Sequence, residues 1–475
     1  MANSFKDWRD LLAYVEKRGQ LRRVRVEVSP QYEIAEITAR TARLAGGGPA
    51  LLFENVAGSR LPVVTNLLGT PQRLAWSFGL NSLDELEGAM QNLLRPAGPQ
   101  DLAERLARLA ETSHFARYAP RTVRTAPAQE VVQVDPTPAF LAQLPLLAVS
   151  PDETGPALRQ HPVFTRPQPN GPQEVRAGSL LRQGESFYLG GPTLQPGERR
   201  QVSLVIGGDP ALHFAVNAPF LPNLDPLILA GALASRRLEL VRGKTNDLEI
   251  PTTAELVLEG FIENRPEPLA VQLGGWNGYS APTPPFYPFT PTALTSRKEP
   301  LVITPVVTAP PNEAGTLVKG SERLLLPLLR ETAPEIADLS LPAPAAIYNL
   351  ALVAIHKSYP GQAQRVMYNL WGQPQFKFLK NIVVVDADCP IRQPEIMLSQ
   401  VLAVVDPGRD LLVVRGPLES GDLSGSFGSK VGIDATRKLP GEVLEKLDPS
   451  RYRTVAGPEE IRKLVEKKWL EYGIE

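Results

Sequence analysis

The first third of the chain alternates helical and strand patterns. Ser4 and Asp7 form a capping pair, and Trp8, Leu11, Leu12 and Val15 mark one helical face that stops at Gly19. Val24, Val26 and Val28 alternate with Arg23, Arg25 and Glu27, the period of a half-buried strand. Ser29-Pro30 opens a second helix that ends at Gly46-Gly47-Gly48. Residues 51–53 and 63–67 read as short strands, and helices begin at Thr70, Ser82 and Pro99, the second with Glu85 completing a capping box. These periods predict an α/β unit over residues 1–118.

From about Pro120 to Pro310 prolines recur and the periodic pieces are mostly strands: 129–134, 201–207, 238–242, 254–262 and 301–307. Pro/Gly-rich stretches at 151–174, 190–199 and 264–290 read as loops, and residues 227–233 as a helix. Strands at such spacing predict a β-barrel or open barrel over residues 119–315. In the last unit, 316–475, Ser321 is the expected cap of a leucine-rich helix. Continuous apolar runs at 347–355, 378–385 and 411–414 read as strands buried on both faces, connected by helices near 362–371 and 393–404 as βαβ units. A terminal amphipathic helix gathers Ile461, Leu464, Val465, Trp469 and Leu470 on one side, suited to covering its own domain or a neighbouring subunit.

The 475 residues suffice for about three domains. Lys and Arg number 50 and Asp and Glu 51, so the net charge of −1 gives no global field to hold nucleic acid or an anionic membrane. The 37 glycines and 48 prolines exclude a helical bundle. With one cysteine, Cys389, an intrachain disulfide and the usual zinc sites are excluded. His114, His161, His213 and His356 lie far apart, so a histidine-built metal site is not expected. The opening MANSFKDWRD has no positive region before an apolar run, and no apolar stretch approaches the roughly 18 residues of a membrane span. A soluble cytoplasmic protein is expected.

Motifs are sparse. There is no GxSxG elbow, no GxGxxG after a strand and no P-loop. Asp386-Ala387-Asp388 reads as a metal-binding pair or, more commonly, as a helix cap or arginine partner. Gly421 to Gly432, GDLSGSFGSKVG, has two readings: an anion nest with Ser426, Ser429 and Lys430 on phosphate oxygens, or a flexible surface loop. Gly207-Gly208-Asp209-Pro210 is by itself a turn.

Resemblance adds a function. IGGDPAL (206–212), LAGAL (229–233), LELVRGKTNDLEIPTTAELVLEGFI (238–262) and SKVGIDAT (429–436) resemble signatures of the UbiD family of decarboxylases. WRDLLAYVEKRGQLRRV (8–24), PALLFENV (49–56) and NLLGTPQRLA (66–75) do so near the start, and the matches run in family order. The resemblance implies an N-terminal α/β domain, a central split β-barrel of the flavin-reductase type and a C-terminal α/β domain. It implies prenylated flavin mononucleotide held with a divalent metal, usually manganese, and homodimers or larger oligomers. The reaction it implies is reversible decarboxylation of aromatic or α,β-unsaturated acids, including the polyprenyl-hydroxybenzoate of ubiquinone synthesis.

Carried over residue by residue, the resemblance makes Lys430, with Ser429 beside it, the cofactor-phosphate ligand and puts Pro219 against the cofactor. Other positions depart. The metal-binding Glu is replaced by Pro226, the Asn ligand by Arg176, and no histidine lies between His161 and His213, so the family's Mn²⁺ site is expected to be lost. The acid/base carboxylates align with Ala270 and Gly275. The carboxylate-clamping Arg falls on Leu181 unless a one-residue gap restores Arg182, the catalytic candidate. Two functions compete. One is a decarboxylase with a rearranged site, for which Glu174, Glu185 and Glu263 are candidate replacements. The other is a degenerate homologue, with weak or absent flavin binding, that serves as a partner subunit, for example of an intact family member, as a scaffold or as a flavin- or anion-binding protein.

Overall fold

The computed structural model describes residues 5–94, 117–168, 171–218, 224–265, 269–275, 278–283, 285–342, 349–419, 422–443 and 457–473. The expectations for Ser4, for a helix at Pro99 and for Pro219 lie outside these residues.

Helix α1 (Trp8–Lys17) begins where the Asp7 carboxylate accepts the N–H groups of Arg9 and Asp10, and it buries Trp8, Leu11, Leu12 and Val15. Strands β1 (Leu21–Val24), β2 (Ala50–Phe53) and β3 (Val63–Thr65) follow, with α2 (Glu33–Ala42), α3 (Pro71–Ser77) and α4 (Glu85–Leu94) around them. β1 is shorter than its valine alternation predicts: Val26 is exposed, and only Val28 returns to the core, bridging to Val56. The fourth strand of this sheet comes from far along the chain. β16 (Val302–Ile303) runs parallel to β3, so the predicted strand at 301–307 is short and belongs to the first sheet.

Six central strands pair antiparallel in a closed ring: β6 (Ala157–Thr165), β7 (Glu174–Gln183), β8 (Ser186–Gly190), β15 (Phe286–Ser296), β12 (Ala254–Glu263) and β9 (Arg199–Gly207), which returns to β6. β5 (Val131–Val134) adds to the outside of β15. β6 and the start of β15 fall in stretches whose prolines predict loops. The structure accommodates them locally: β9 joins β6 only from Val163 onward, past Pro162, and Pro291 sits opposite a register shift at Glu259/Gly260. A hairpin, β13 (Gln272–Gly274) and β14 (Ser280–Pro282), lies beside the ring, and β4 (Arg121–Val123), β10 (Glu239–Arg242) and β11 (Glu249–Pro251) make a small sheet.

The short helix α5 (Pro138–Leu141) precedes the ring, and α6 (Pro210–Asn217) and α7 (Pro226–Leu233) lie against its end, α6 packing on β6 and β7. One core joins Trp8, Leu11, Leu74 and Phe78 of the first sheet's helices to Phe164, Val205 and Phe214 of the ring and α6. A second fills the ring with Leu158, Val163, Leu180, Leu189, Leu204 and Leu258.

Helix α8 (Glu313–Thr332) starts the last unit. Its cap is Asn312, whose side chain accepts the Gly315 N–H at 2.9 Å; Ser321, the predicted cap, lies mid-helix and bonds back to the Leu317 carbonyl. The sheet order is β17 (Ile336–Ser340), β18 (Leu350–Ile355), β19 (Asn381–Asp386), β21 (Phe427–Asp434), β20 (Leu411–Pro417), with β18, β19 and β21 parallel and both edges antiparallel. α9 (Gln362–Gly372), α10 (Pro394–Val404) and α11 (Pro407–Asp410) connect these strands. β20 is an edge strand and exposes Leu411 and Val413, so the apolar run there is not buried on both faces. The terminal helix α12 (Glu459–Lys467) buries nothing against this chain, and Ile461, Leu464, Trp469 and Leu470 are exposed. Among the described residues no helix is long and apolar enough to cross a membrane.

Candidate active site

A cluster of buried polar residues lies at the end of the ring, where α6 meets β6. The β6–β7 register shifts between Leu158 and His161, and at Gln160 the backbone turns left-handed, with φ +59°. A side-chain-bearing residue there costs on the order of 1 kcal/mol or more and needs support. Asn217, the last residue of α6, supplies it: its amide donates to the Gln160 carbonyl at 2.8 Å and to the His213 carbonyl at 2.9 Å. The Gln160 N–H reaches Ser179 Oγ of β7 at 3.3 Å. The helix itself is set by Asp209, which caps it through the Ala211 N–H at 2.8 Å and pairs with Arg236. Burial pushes the Asp209 carboxyl up to about 6, against the pull of Arg236.

Five buried atoms at this junction have no hydrogen-bond partner: Nε and Nη1 of Arg159, Oε1 of Gln160, Nε2 of His161 and Oδ1 of Asn217. Buried polar groups are nearly always satisfied, so this concentration on three consecutive residues and the asparagine bonded to Gln160 makes the junction the candidate cradle for a ligand bearing both donors and acceptors. Burial, with His213 nearby, holds His161 down to about 3, and burial holds His213 to about 4, so both imidazoles are neutral at pH 7. His213 also packs edge-on against Trp8, ring centres 5.5 Å apart, which joins the cradle to α1.

The sequence-predicted residues are dispersed. Side chains alternate along β7, so Ser179 and Leu181 share the face toward the cradle while Leu180 and Arg182 take the other. Leu181 is buried with Val271, Leu273 and Phe286, and Arg182 donates to the Ala142 carbonyl at 3.2 Å. Glu174 is taken by Arg176 at 2.9 Å, Glu263 pairs with Arg199 at 3.1 Å, and Glu185 is exposed in the β7–β8 turn, so none of the three faces the cradle. Ala270 is exposed, and Gly275 donates its N–H to the Tyr279 carbonyl at 2.8 Å.

Ser429 and Lys430 lie in β21 of the last sheet, in register with Arg415 and Val414, rather than in a loop. Their strand geometry leaves no nest of free N–H groups. Ser429 is exposed, whereas Lys430 is buried, its amine on the Lys377 carbonyl and its pKa lowered by that burial.

The positions that the resemblance assigns to the metal do not suit a divalent cation. Pro226 is the first residue of α7 and has no ligating atom, while the preceding Asp225 is spent capping that helix through the Leu227 N–H at 2.9 Å. Asp386 and Asp388 both serve Arg437, the commoner reading of that pair. Among the described residues no three His, Cys, Asp or Glu side chains group as a metal site.

Sequence reasoning missed Arg159, Gln160 and Asn217. The signal available was ALRQHPVF, four polar or ring-constrained positions between apolar flanks inside a proline-rich stretch, where a buried strand has no use for them unless they meet a ligand.

Comparison with known proteins matches the chain to a family. The 3-octaprenyl-4-hydroxybenzoate carboxy-lyase N-terminal domain matches residues 12–93, its Rift-related domain 183–310 and its C-terminal domain 315–435. An uncharacterized protein of Aquifex aeolicus (strain VF5) is 32 % identical over the full length of both chains. The UbiD-class enzyme HmfF from Pelotomaculum thermopropionicum, solved with FMN, superposes with a TM-score of 0.76 at 27 % identity, over 94 % of this chain and 98 % of that one. Vanillic acid decarboxylase of Sedimentibacter hydroxybenzoicus, in open form, shares the fold over 100 % of both chains, with a TM-score of 0.81 at 23 % identity. The chain belongs to the UbiD family of carboxy-lyases.

Proposed function

We propose that this protein is a flavin-dependent carboxy-lyase that removes or adds the carboxylate of an aromatic or α,β-unsaturated acid, of the type of a polyprenyl-hydroxybenzoate quinone precursor. The observation that carries the reading is the cradle of unpartnered atoms at the end of α6. A flavin ring offers N–H and carbonyl groups along one edge. Gln160 Oε1 and Asn217 Oδ1 suit the N–H, and His161 Nε2, with a proton, suits a carbonyl. Bound there, a prenylated FMN supplies the electron sink for the carbanion that departing carbon dioxide leaves. HmfF, solved with FMN and, in an evolved dimeric form, with prenylated FMN, supports that choice of cofactor.

The ring of six antiparallel strands, on this reading, is the family's split barrel, and residues 1–118, 119–315 and 316–475 are its three domains. Lys430, Ser429 and Pro219 are the phosphate and ring contacts by resemblance, and no manganese takes part. The exposed apolar side of α12 supports a homodimer or larger assembly in the cytoplasm.

The test is co-expression with a flavin prenyltransferase, then a visible spectrum of the purified protein and carbon dioxide release from a panel of aromatic and cinnamic-type acids. A bound prenylated flavin with release from at least one acid is expected. Colourless protein without release contradicts the proposal.

A further inference from the structure

Arg159 is an arginine with unused capacity. Its side chain is 4 % exposed, and its Nη2 pairs with Glu153, itself 2 % exposed. Nε and Nη1 are buried with no partner. Glu153 in turn accepts the Gly274 N–H at 2.7 Å, and a Cβ built on Gly274 would stand 3.8 Å from Arg159 Nη1. Thr154 holds the same strand from both sides, donating its N–H to Gln272 and accepting the Gln272 N–H at 2.8 Å. The pair therefore lies between the cradle residue Gln160 and the 272–275 segment, on the face of the sheet that Leu181 shares.

We infer that Arg159, held by Glu153, is the carboxylate clamp of this site. The inference rests on the carboxy-lyase reading, and it places the clamp on β6 rather than at Leu181 or Arg182 of β7. Buried guanidinium N–H groups without a partner call for an acceptor, and a charge-assisted bond to carboxylate oxygen is the strongest they can make. Glu153 already offsets the guanidinium's single positive charge, so the remaining donors suit one monocarboxylate better than a dianion such as a phosphate. Glu153 is a positioning residue. By fixing Nη2 and the Gly274 N–H together, it sets where the free donors point relative to the cradle.

The experiment titrates full-length protein, with and without FMN, with benzoate and with benzamide, which share a ring and differ in charge. Wild-type protein is expected to prefer benzoate by about tenfold or more, and Arg159→Gln to remove that preference. FMN affinity in Arg159→Gln should change by less than about threefold, because Gln160, His161 and Asn217 remain. Arg159→Lys keeps a charge beside Glu153 but loses the Nε donor, and is expected to lose most of the preference while melting near wild type. Equal binding of benzoate and benzamide to the wild type overturns the inference. So does a preference that survives in both Arg159 variants, or one that Arg182→Gln removes in their place. An Arg159-dependent preference in protein that takes up no FMN upholds the clamp and sinks the flavin reading instead.

Discussion

The side-chain amide of Asn217 and the backbone carbonyl of Gln160, 2.8 Å apart, fasten the last turn of α6 to the bulge of β6. The bond stabilises a left-handed residue, and the side chains of both residues carry a buried oxygen without a hydrogen-bond partner. Asn217→Ala removes both of its hydrogen bonds and one cradle acceptor. The expected outcome is a loss of about 1–2 kcal/mol in stability, read by urea denaturation, together with a lower flavin-to-protein ratio after gel filtration.

Glu255 of β12 ties the first helix to the ring. It accepts a fork from Arg9, at 2.8 and 2.6 Å, and the Leu301 N–H at 3.0 Å, with Arg297 at 3.5 Å. Glu255→Ala strands these donors and is expected to cost about 3 kcal/mol. Arg9→Ala should cost less, since Arg9 is about one-third exposed and Arg297 remains for Glu255. Chemical denaturation of both variants checks the order.

Glu313 predicts a pH effect. It accepts the Leu68 N–H at 2.7 Å, and burial pushes its carboxyl up to about 7 from 4.5, against the pull of that bond and of Arg73. As pH rises from 4.5 toward 7 the unfolded chain gives up this proton while the folded chain keeps it, so this group lowers stability across that window and by a constant amount above it. Glu313→Gln should therefore gain on the wild type between pH 5 and pH 8, by about 3 kcal/mol. Denaturation midpoints at the two pH values test it, and an equal difference at both contradicts it.

Gly178 of β7 is required by close approach. A Cβ there would run into the Gly190 carbonyl oxygen and the Val163 side chain, one from each neighbouring strand. Gly178→Ala is expected to destabilise by about 1–3 kcal/mol through overpacking, measured as a lower melting temperature.

Helix α1, with its Asp7 cap and its Trp8, Leu11, Leu12, Val15 face, was legible because cap chemistry and period coincide. So were α7, β9 and β12, where runs of apolar residues meet clear boundaries. β6 was not. Its periodicity is broken by Arg159, Gln160, His161 and Pro162, at a register shift that leaves polar atoms of the first three buried without partners. β15 was hidden by Pro288 and Pro291, which edge and bulge geometry accommodates, and such geometry depends on partners distant in sequence. The true cap of α8, Asn312, was passed over for Ser321 because a leucine-rich stretch continues through both. At the site, Arg159 pairs with Glu153 six positions earlier, a contact that no periodic pattern in the sequence announces.

The most direct test of the central claim is isotope exchange. Protein co-expressed with a flavin prenyltransferase is incubated with an aromatic acid and ¹³C-bicarbonate, and the acid is recovered and weighed by mass spectrometry. Label entering the carboxyl group, dependent on bound flavin and reduced in Asn217→Ala, is the result expected of a working carboxy-lyase. Protein that carries prenylated flavin and exchanges no label with any acid of the aromatic and α,β-unsaturated classes contradicts it.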